Sequence, residues 1–205
     1  MLLPLALLAQ TLAPAPDPEA VKAARACAVA VTTVTRGDPG NDMTEVSTLL
    51  YYVSHAVKAE GGSTPFLSRI SEVTDSLRND PVPAPEQAKA LMVECDRRFP
   101  LARKTVAPKL PGRPIDRDLM CFAALGVLMG AAQGKAEDTG DSSDVTRYQP
   151  AFQAYAGRLS PDVLGKAGIS GEPALIDALG KQVVASLDLG NFETIARSCI
   201  AQSGN

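Results

Sequence analysis

Few residues in this chain have acid–base or nucleophilic chemistry to offer. His55 is its single imidazole and follows Tyr51, Tyr52 and Ser54. An imidazole beside a phenol can serve as a general base. Catalysis also needs a partner cluster that orients the base, and one imidazole alone does not make a site. Cys27, Cys95, Cys121 and Cys199 are well separated, form no Cys-x-x-Cys, and have no histidine at ligand spacing. Zinc is therefore excluded, as is a thioredoxin-like redox pair. The chain lacks His-Glu-x-x-His and Gly-x-Ser-x-Gly. Its Gly-Lys pairs at Lys135, Lys166 and Lys181 are not followed by Ser or Thr, so none is a phosphate-binding loop. The acidic run over residues 137–144 lacks the spacing of a calcium loop. Arg36-Gly37-Asp38 is too short a motif to argue cell adhesion. We therefore assign no catalytic residue, cofactor or metal ligand, and read the chain as a non-enzyme.

The totals agree with that reading. The chain has 205 residues and a formal charge of −3, with no basic excess to imply a nucleic-acid partner. Aromatic residues make up 4% and tryptophan is absent, which is poor material for base stacking or sugar platforms. Alanine, leucine and valine favour helix over sheet. Residues 1–17 open with a short apolar run, Leu2 to Ala9, then loosen into Pro and Ala. This pattern is that of a signal peptide cleaved after Ala9, Ala13 or Ala15, though no Lys or Arg precedes the run. An even number of cysteines fits export to the periplasm or beyond, where disulfides persist. The only membrane contact expected is through this segment, and the expected partner is a protein of the cell envelope.

The elements that hold these residues all read as helices. Asp17-Pro18 caps and starts the first, to about Thr35. Val46, Leu49, Leu50, Val53 and Val57 give the second one apolar face. Phe66, Ile70, Val73 and Leu77 stripe the third. Ala88, Leu91, Met92, Cys95 and Phe99 stripe the fourth, over 85–99. The stretch 116–134 is apolar on every side, with an uncharged run of 16 residues from Leu119 to Gly134. A membrane span takes about 20 residues, so this is read as a buried core helix, capped by Asp116 and Asp118 and stopped at Gly134. Gly126 and Gly130 would admit a neighbouring helix. Tyr148, Ala151, Phe152, Tyr155 and Leu159 define the next helix. Short helices follow Ser160-Pro161 and Glu172-Pro173, and Asn191 caps the last, with Phe192, Ile195, Ala196 and Cys199 inward. Residues 100–115 hold the prolines of a linker. Six positive residues and no acid lie from Arg97 to Arg113, read as a solvated connector rather than an anion or membrane patch.

The two halves repeat. The offset of 104 that carries Cys95 onto Cys199 carries Ala88, Leu91 and Met92 onto Phe192, Ile195 and Ala196. Cys27 and Cys121 each sit in an apolar helix followed by a polar loop and a tyrosine-bearing helix. Tyr155 pairs with Tyr52 by type and with Val53 by apolar face. Arg158 then stands where the first half has His55, so these four residues are read as polar anchors rather than catalytic groups. The expected fold is an all-α bundle, a tandem duplication of a four-helix unit over 18–99 and 116–202. Four cysteines allow three pairings. The repeat selects Cys27–Cys95 and Cys121–Cys199, tying first helix to last in each unit.

Cys27, Cys95, Tyr52 and the Tyr155-x-x-Arg158 segment together resemble a loose class of small exported bacterial helical proteins. These carry two cysteines per unit and an aromatic-x-x-Arg/His segment; the resemblance spans most of residues 20–202 and implies no established activity. One disulfide holding a helical unit also resembles the small two-cysteine acid-stress chaperones of the periplasm. That resemblance implies an alternative function, a chaperone whose apolar faces open as carboxylates protonate. A lesser alternative is an enzyme of unrecognised type that uses His55 or an acid pair.

Overall fold

The computed structural model describes residues 15–35, 43–61 and 65–204. The apolar N-terminal run and the Arg36-Gly37-Asp38 motif lie outside them. Among the described residues there are nine α-helices and no strand: α1 (Pro18–Thr35), α2 (Met43–Glu60), α3 (Phe66–Ser76), α4 (Pro85–Arg98), α5 (Pro114–Thr139), α6 (Ser143–Arg158), α7 (Pro161–Lys166), α8 (Glu172–Ser186) and α9 (Phe192–Ser203). The expected all-α bundle is what forms.

The starts and stops follow local chemistry. Asp17 Oδ1 accepts the Ala20 amide at 3.0 Å at the head of α1. Ser160 accepts the Val163 amide at 3.4 Å before α7, and Asn191 accepts the Thr194 amide at 3.0 Å before α9. Proline fills the first or second position of α4, α5, α7 and α8, where a missing N–H costs nothing.

Helix α5 departs from its expected limits. It begins at Pro114, with Asp116 already inside it and paired to Arg113 at 2.5 Å. It runs through Gly134 and ends only at Gly140, whose φ of 78° closes the helix in the left-handed region. A single glycine inside a helix costs about 1 kcal/mol and does not stop it; a left-handed one after the last turn does. By length and composition α5 could cross a membrane. Here Leu119, Cys121, Leu125 and Leu128 are buried, and α6, α8 and α9 pack against the helix. It is not enclosed on every side, however. Phe122, Gly126 and Val127 are partly exposed and Gly130 is exposed.

In the first half α1 packs on α2 and α4; in the second, α5 packs on α6 and α9. The helices before the last differ, since α3 lies on α2 whereas α8 lies on α5, and the second half has the additional short α7. Across the halves α2 meets α9 and α5, and α3 meets α8, so both halves feed one continuous apolar core. The Sγ atoms of Cys27 and Cys95 lie 2.01 Å apart and those of Cys121 and Cys199 lie 2.04 Å apart. Both are the pairs expected.

The proline-rich stretch after α4 is largely exposed, as a connector would be, but it is docked on the bundle at a few points. Ala102 and Leu110 are buried, and the carbonyls of Ala102, Lys104 and Pro108 receive side-chain hydrogen bonds from α9 and its cap. Its positive charge is also half spent: Arg97 pairs with Glu94, Arg103 with Asp96 and Arg113 with Asp116. Irregular backbone so close to the core needs partners for its carbonyls, and α9 supplies them.

Candidate functional site

The four expected anchors behave differently in the two halves. On α6, the Tyr155 hydroxyl donates to the Cys199 carbonyl at 3.0 Å. One turn on, Arg158 stacks over the Tyr155 ring at 4.7 Å and donates to the Ser203 carbonyl at 2.8 Å. Its guanidinium also lies 3.8 Å from the buried Asp118 of α5. A cation on the last carbonyls of a helix satisfies orphan acceptors and meets the negative end of its dipole. Tyr155 and Arg158 are therefore anchors in the full sense, holding the C-terminal end of α9.

Tyr52 and His55 anchor nothing by hydrogen bonding. Tyr52 is fully buried, edge-on to Phe99 at 5.4 Å, and its hydroxyl has no protein partner among the described residues. His55 lies between Tyr51 at 4.6 Å and Phe99 at 5.0 Å, with Nε2 buried and likewise unpartnered. Burial lowers the imidazole pKa to about 4, with Lys58 adding to the shift and Asp188 opposing it. Burial also pushes the Tyr52 phenol up to about 12. These groups stay neutral through the physiological range and pack as an aromatic cluster. The polar reach of α2 goes elsewhere: the Tyr51 hydroxyl donates to the Leu187 carbonyl at 3.0 Å, in the other half.

The densest polar site is one that helical periodicity did not mark. Glu193, in the first turn of α9, is 1% exposed. Its Oε2 accepts from the Tyr148 hydroxyl at 2.5 Å, and its Oε1 accepts from Arg197 Nε at 3.0 Å and from Arg147. The Glu193 amide donates to Ser47 Oγ at 2.7 Å, and that hydroxyl donates on to Asn191 Oδ1 at 3.2 Å. Asn191 Nδ2 donates to the Ala102 carbonyl at 2.7 Å. One buried carboxylate thus joins α6 and α9, while the cap residue beside it joins α2 and the proline-rich segment. Gly190 precedes this cap because a Cβ there would fall 2.4 Å from Thr194 Oγ1. Burial, and then the hydrogen bond and charge of Glu193, raise the Tyr148 phenol's pKa, keeping it a donor.

The negative carboxylate is well placed at the positive end of α9. Its two guanidiniums each keep about 40% of their surface in water. A carboxylate held by three donors from α6 and α9 is suited to fixing those helices against each other. The signal for it in sequence was the run Asn191-Phe192-Glu193, a cap with an acid in the first turn; nothing in the pattern said that the acid would be buried. Among the described residues no three His, Cys, Asp or Glu side chains gather as metal donors. No protein-family model, no curated protein and no solved structure matches the chain.

Proposed function

We propose that this is an exported, non-enzymatic structural or interaction protein of the periplasm or cell exterior, built by duplication of a four-helix unit and serving a protein partner in the envelope. The observation that carries this reading is the pair of disulfides, each joining the first helix of a half to its last. Such bonds persist in oxidising compartments and are rare in reducing ones. A parallel contact supports the duplication: α2 meets the end of α4 through His55 on Phe99, and α6 meets the end of α9 through Arg158 on the Ser203 carbonyl, one residue out of the register that carries Cys95 onto Cys199. The main polar cluster closes on itself, which suits a scaffold.

The test is a non-reducing peptide mass map of the protein recovered from its native host. The reading expects a trimmed N-terminus, a periplasmic or external fraction, and peptides joined as Cys27–Cys95 and Cys121–Cys199. An intact Met1 with four free thiols would overturn it.

One feature supports the periplasmic stress chaperone as a second reading. His55 is an uncharged imidazole in an aromatic cluster, and its protonation in acid would place a cation there. Binding of a dye specific for exposed apolar surface, followed from pH 7 to pH 3, separates the two. A chaperone gains dye binding while keeping its helices and suppresses aggregation of a client; a scaffold does neither.

A further inference from the structure

The side of α5 that the bundle leaves uncovered forms the floor of a groove of about 700 Å³. Its other wall is α3, through Leu67, Ile70 and Thr74, and Phe152 of α6 closes one flank. The volume lies in the range of small-molecule sites, roughly 300–1,000 Å³. Two features of α5 make it deep. Gly126 leaves room for the Phe152 ring, whose Cε2 would sit 3.4 Å from a Cβ there, and the ring stacks on Phe122 at 4.8 Å. Gly130 has nothing within 4 Å of where its Cβ would be, so the groove is open above it.

The lining specifies the occupant. Leu50, Phe122, Val127, Ala131 and Leu179 offer no hydrogen bond to the body of a ligand. One ionisable residue, Asp75, lines the groove, at the α3 wall. Its carboxylate meets Arg78 at 3.6 Å, with both side chains about three-quarters exposed. An exposed pair of this kind contributes little and is readily exchanged for another cation. Walls that are apolar apart from the Ser71 and Thr74 hydroxyls, with one exposed carboxylate at the α3 end, complement a molecule with an apolar body and a cationic end.

We propose that the α3–α5 groove binds a single-chain cationic amphiphile, with its alkyl chain along Gly126 and Gly130 and its ammonium head at Asp75. Acyl chains with anionic heads fit the walls but not the carboxylate. The inference stands apart from export and from duplication, since it rests on the groove alone.

The test is calorimetric titration of the full chain with dodecyltrimethylammonium, below its micelle concentration. Dodecyl maltoside and dodecyl sulfate serve as neutral and anionic comparisons. The proposal expects saturable 1:1 binding of the ammonium compound, with the sulfate weakest. Gly130→Leu, which fills the groove and improves helix propensity, should weaken binding at least tenfold. Ser71→Phe, from the facing wall, should do the same, and circular dichroism and melting confirm that both variants fold. Asp75→Asn should keep chain binding but lose most of the preference for ammonium over maltoside, about threefold to tenfold. Unsaturable binding, unchanged affinity in both filled variants, or preference for the sulfate would overturn the proposal. So would a concentration-dependent dimer, seen by sedimentation without any probe and abolished by Gly130→Leu, because a second copy would then occupy the groove.

Discussion

Helices α4 and α9 occupy the same place in their respective halves. Each ends its half, each is bonded through a cysteine to the first helix, and each shows the same inward pattern. They are nonetheless held very differently. In α4 only Ala88, Met92 and Cys95 are buried. In α9 Phe192, Glu193, Thr194, Ile195, Ala196, Ser198 and Cys199 are all buried. The difference lies in the second helix of each half. Helix α6 grips α9 at both ends, through Tyr148 on Glu193 and through Tyr155 and Arg158 on the Cys199 and Ser203 carbonyls. Helix α2 sends Ser47 to the cap of α9 and Tyr51 to the Leu187 carbonyl, while Tyr52 meets the end of α4 only by packing on Phe99. Two buried hydroxyls of α2 thus help to fix the second half. What results is a single core with α9 near its centre and α4 at its edge, a position that apolar periodicity does not distinguish.

The largest effects should come from the disulfides. Their loops span 68 and 78 residues. In the chain-entropy treatment each contributes about 4–4.5 kcal/mol, and serine replacements in real proteins cost about 2–5 kcal/mol. The double replacements Cys27→Ser/Cys95→Ser and Cys121→Ser/Cys199→Ser should lower the denaturant midpoint by comparable amounts. Their native states should differ. Without its bond α4 should become sensitive to proteolysis while the rest of the fold persists; without its bond α9 should stay protected by its polar grip. Equal loss of protection at both helices would break the comparison.

Next is the carboxylate. Tyr148→Phe removes one of the donors to a buried charge and should destabilise by roughly 1–3 kcal/mol, read from urea unfolding. Glu193→Ala also leaves Arg147, Tyr148 and the head of α9 without their acceptor, and should cost roughly 3 kcal/mol or more. No residue of α4 has a comparable role: Lys89, at the equivalent offset, is an exposed partner of Glu86, and Lys89→Ala should change stability by less than about 0.5 kcal/mol.

The tyrosines sharpen the contrast further. Tyr155→Phe deletes a buried hydrogen bond and should cost about 1 kcal/mol. Tyr52→Phe deletes a buried hydroxyl without a protein partner and should be neutral or stabilising by a few tenths to about 1 kcal/mol. A loss at Tyr52 equal to that at Tyr155 would mean that the halves are anchored alike.

A separate expected effect is pH-dependent. The folded His55 imidazole has its pKa lowered to about 4 from the ordinary 6.5. The folded state therefore binds fewer protons than the unfolded chain between those values. Its contribution is full above about pH 6.5 and is lost as pH falls toward about pH 4. His55→Phe should flatten the melting temperature across that window, against a falling wild type. A wild-type profile identical to that of the variant would place His55 in contact with water.

Much of the fold was legible because its causes are local. Caps at Asp17, Ser160 and Asn191, prolines in first turns, and cysteines placed on inward faces depend on near neighbours in the chain. The helix class followed from them, and both cysteine pairs followed from the pattern that recurs at an offset of 104. Three things were not legible. Helix α5 outran Gly134 because one glycine does not outweigh the helix formers after it, and its Phe122–Gly130 side was left uncovered by where α3 lies. The proline-rich segment is exposed, as its composition suggests, but that composition does not show that α9 donates to its carbonyls. Glu193 looked like an ordinary first-turn acid, and its burial depends on Tyr148, Arg147 and Ser47, residues 45 to 146 positions away. Of the expected anchors, Tyr155 and Arg158 face a helix end that accepts their bonds, whereas Tyr52 and His55 face the ring of Phe99.

Native-state hydrogen exchange of the oxidised protein tests the central claim most directly, because it reads α4 and α9 separately in one sample. The account predicts that amides of α9 open only with global unfolding, at the full free energy measured by denaturant. Those of α4 should open at a distinctly lower free energy, even with Cys27–Cys95 intact. Exchange of α4 and α9 at the same free energy, with the same denaturant dependence, would contradict it and make the two halves equivalent in fact as well as in pattern.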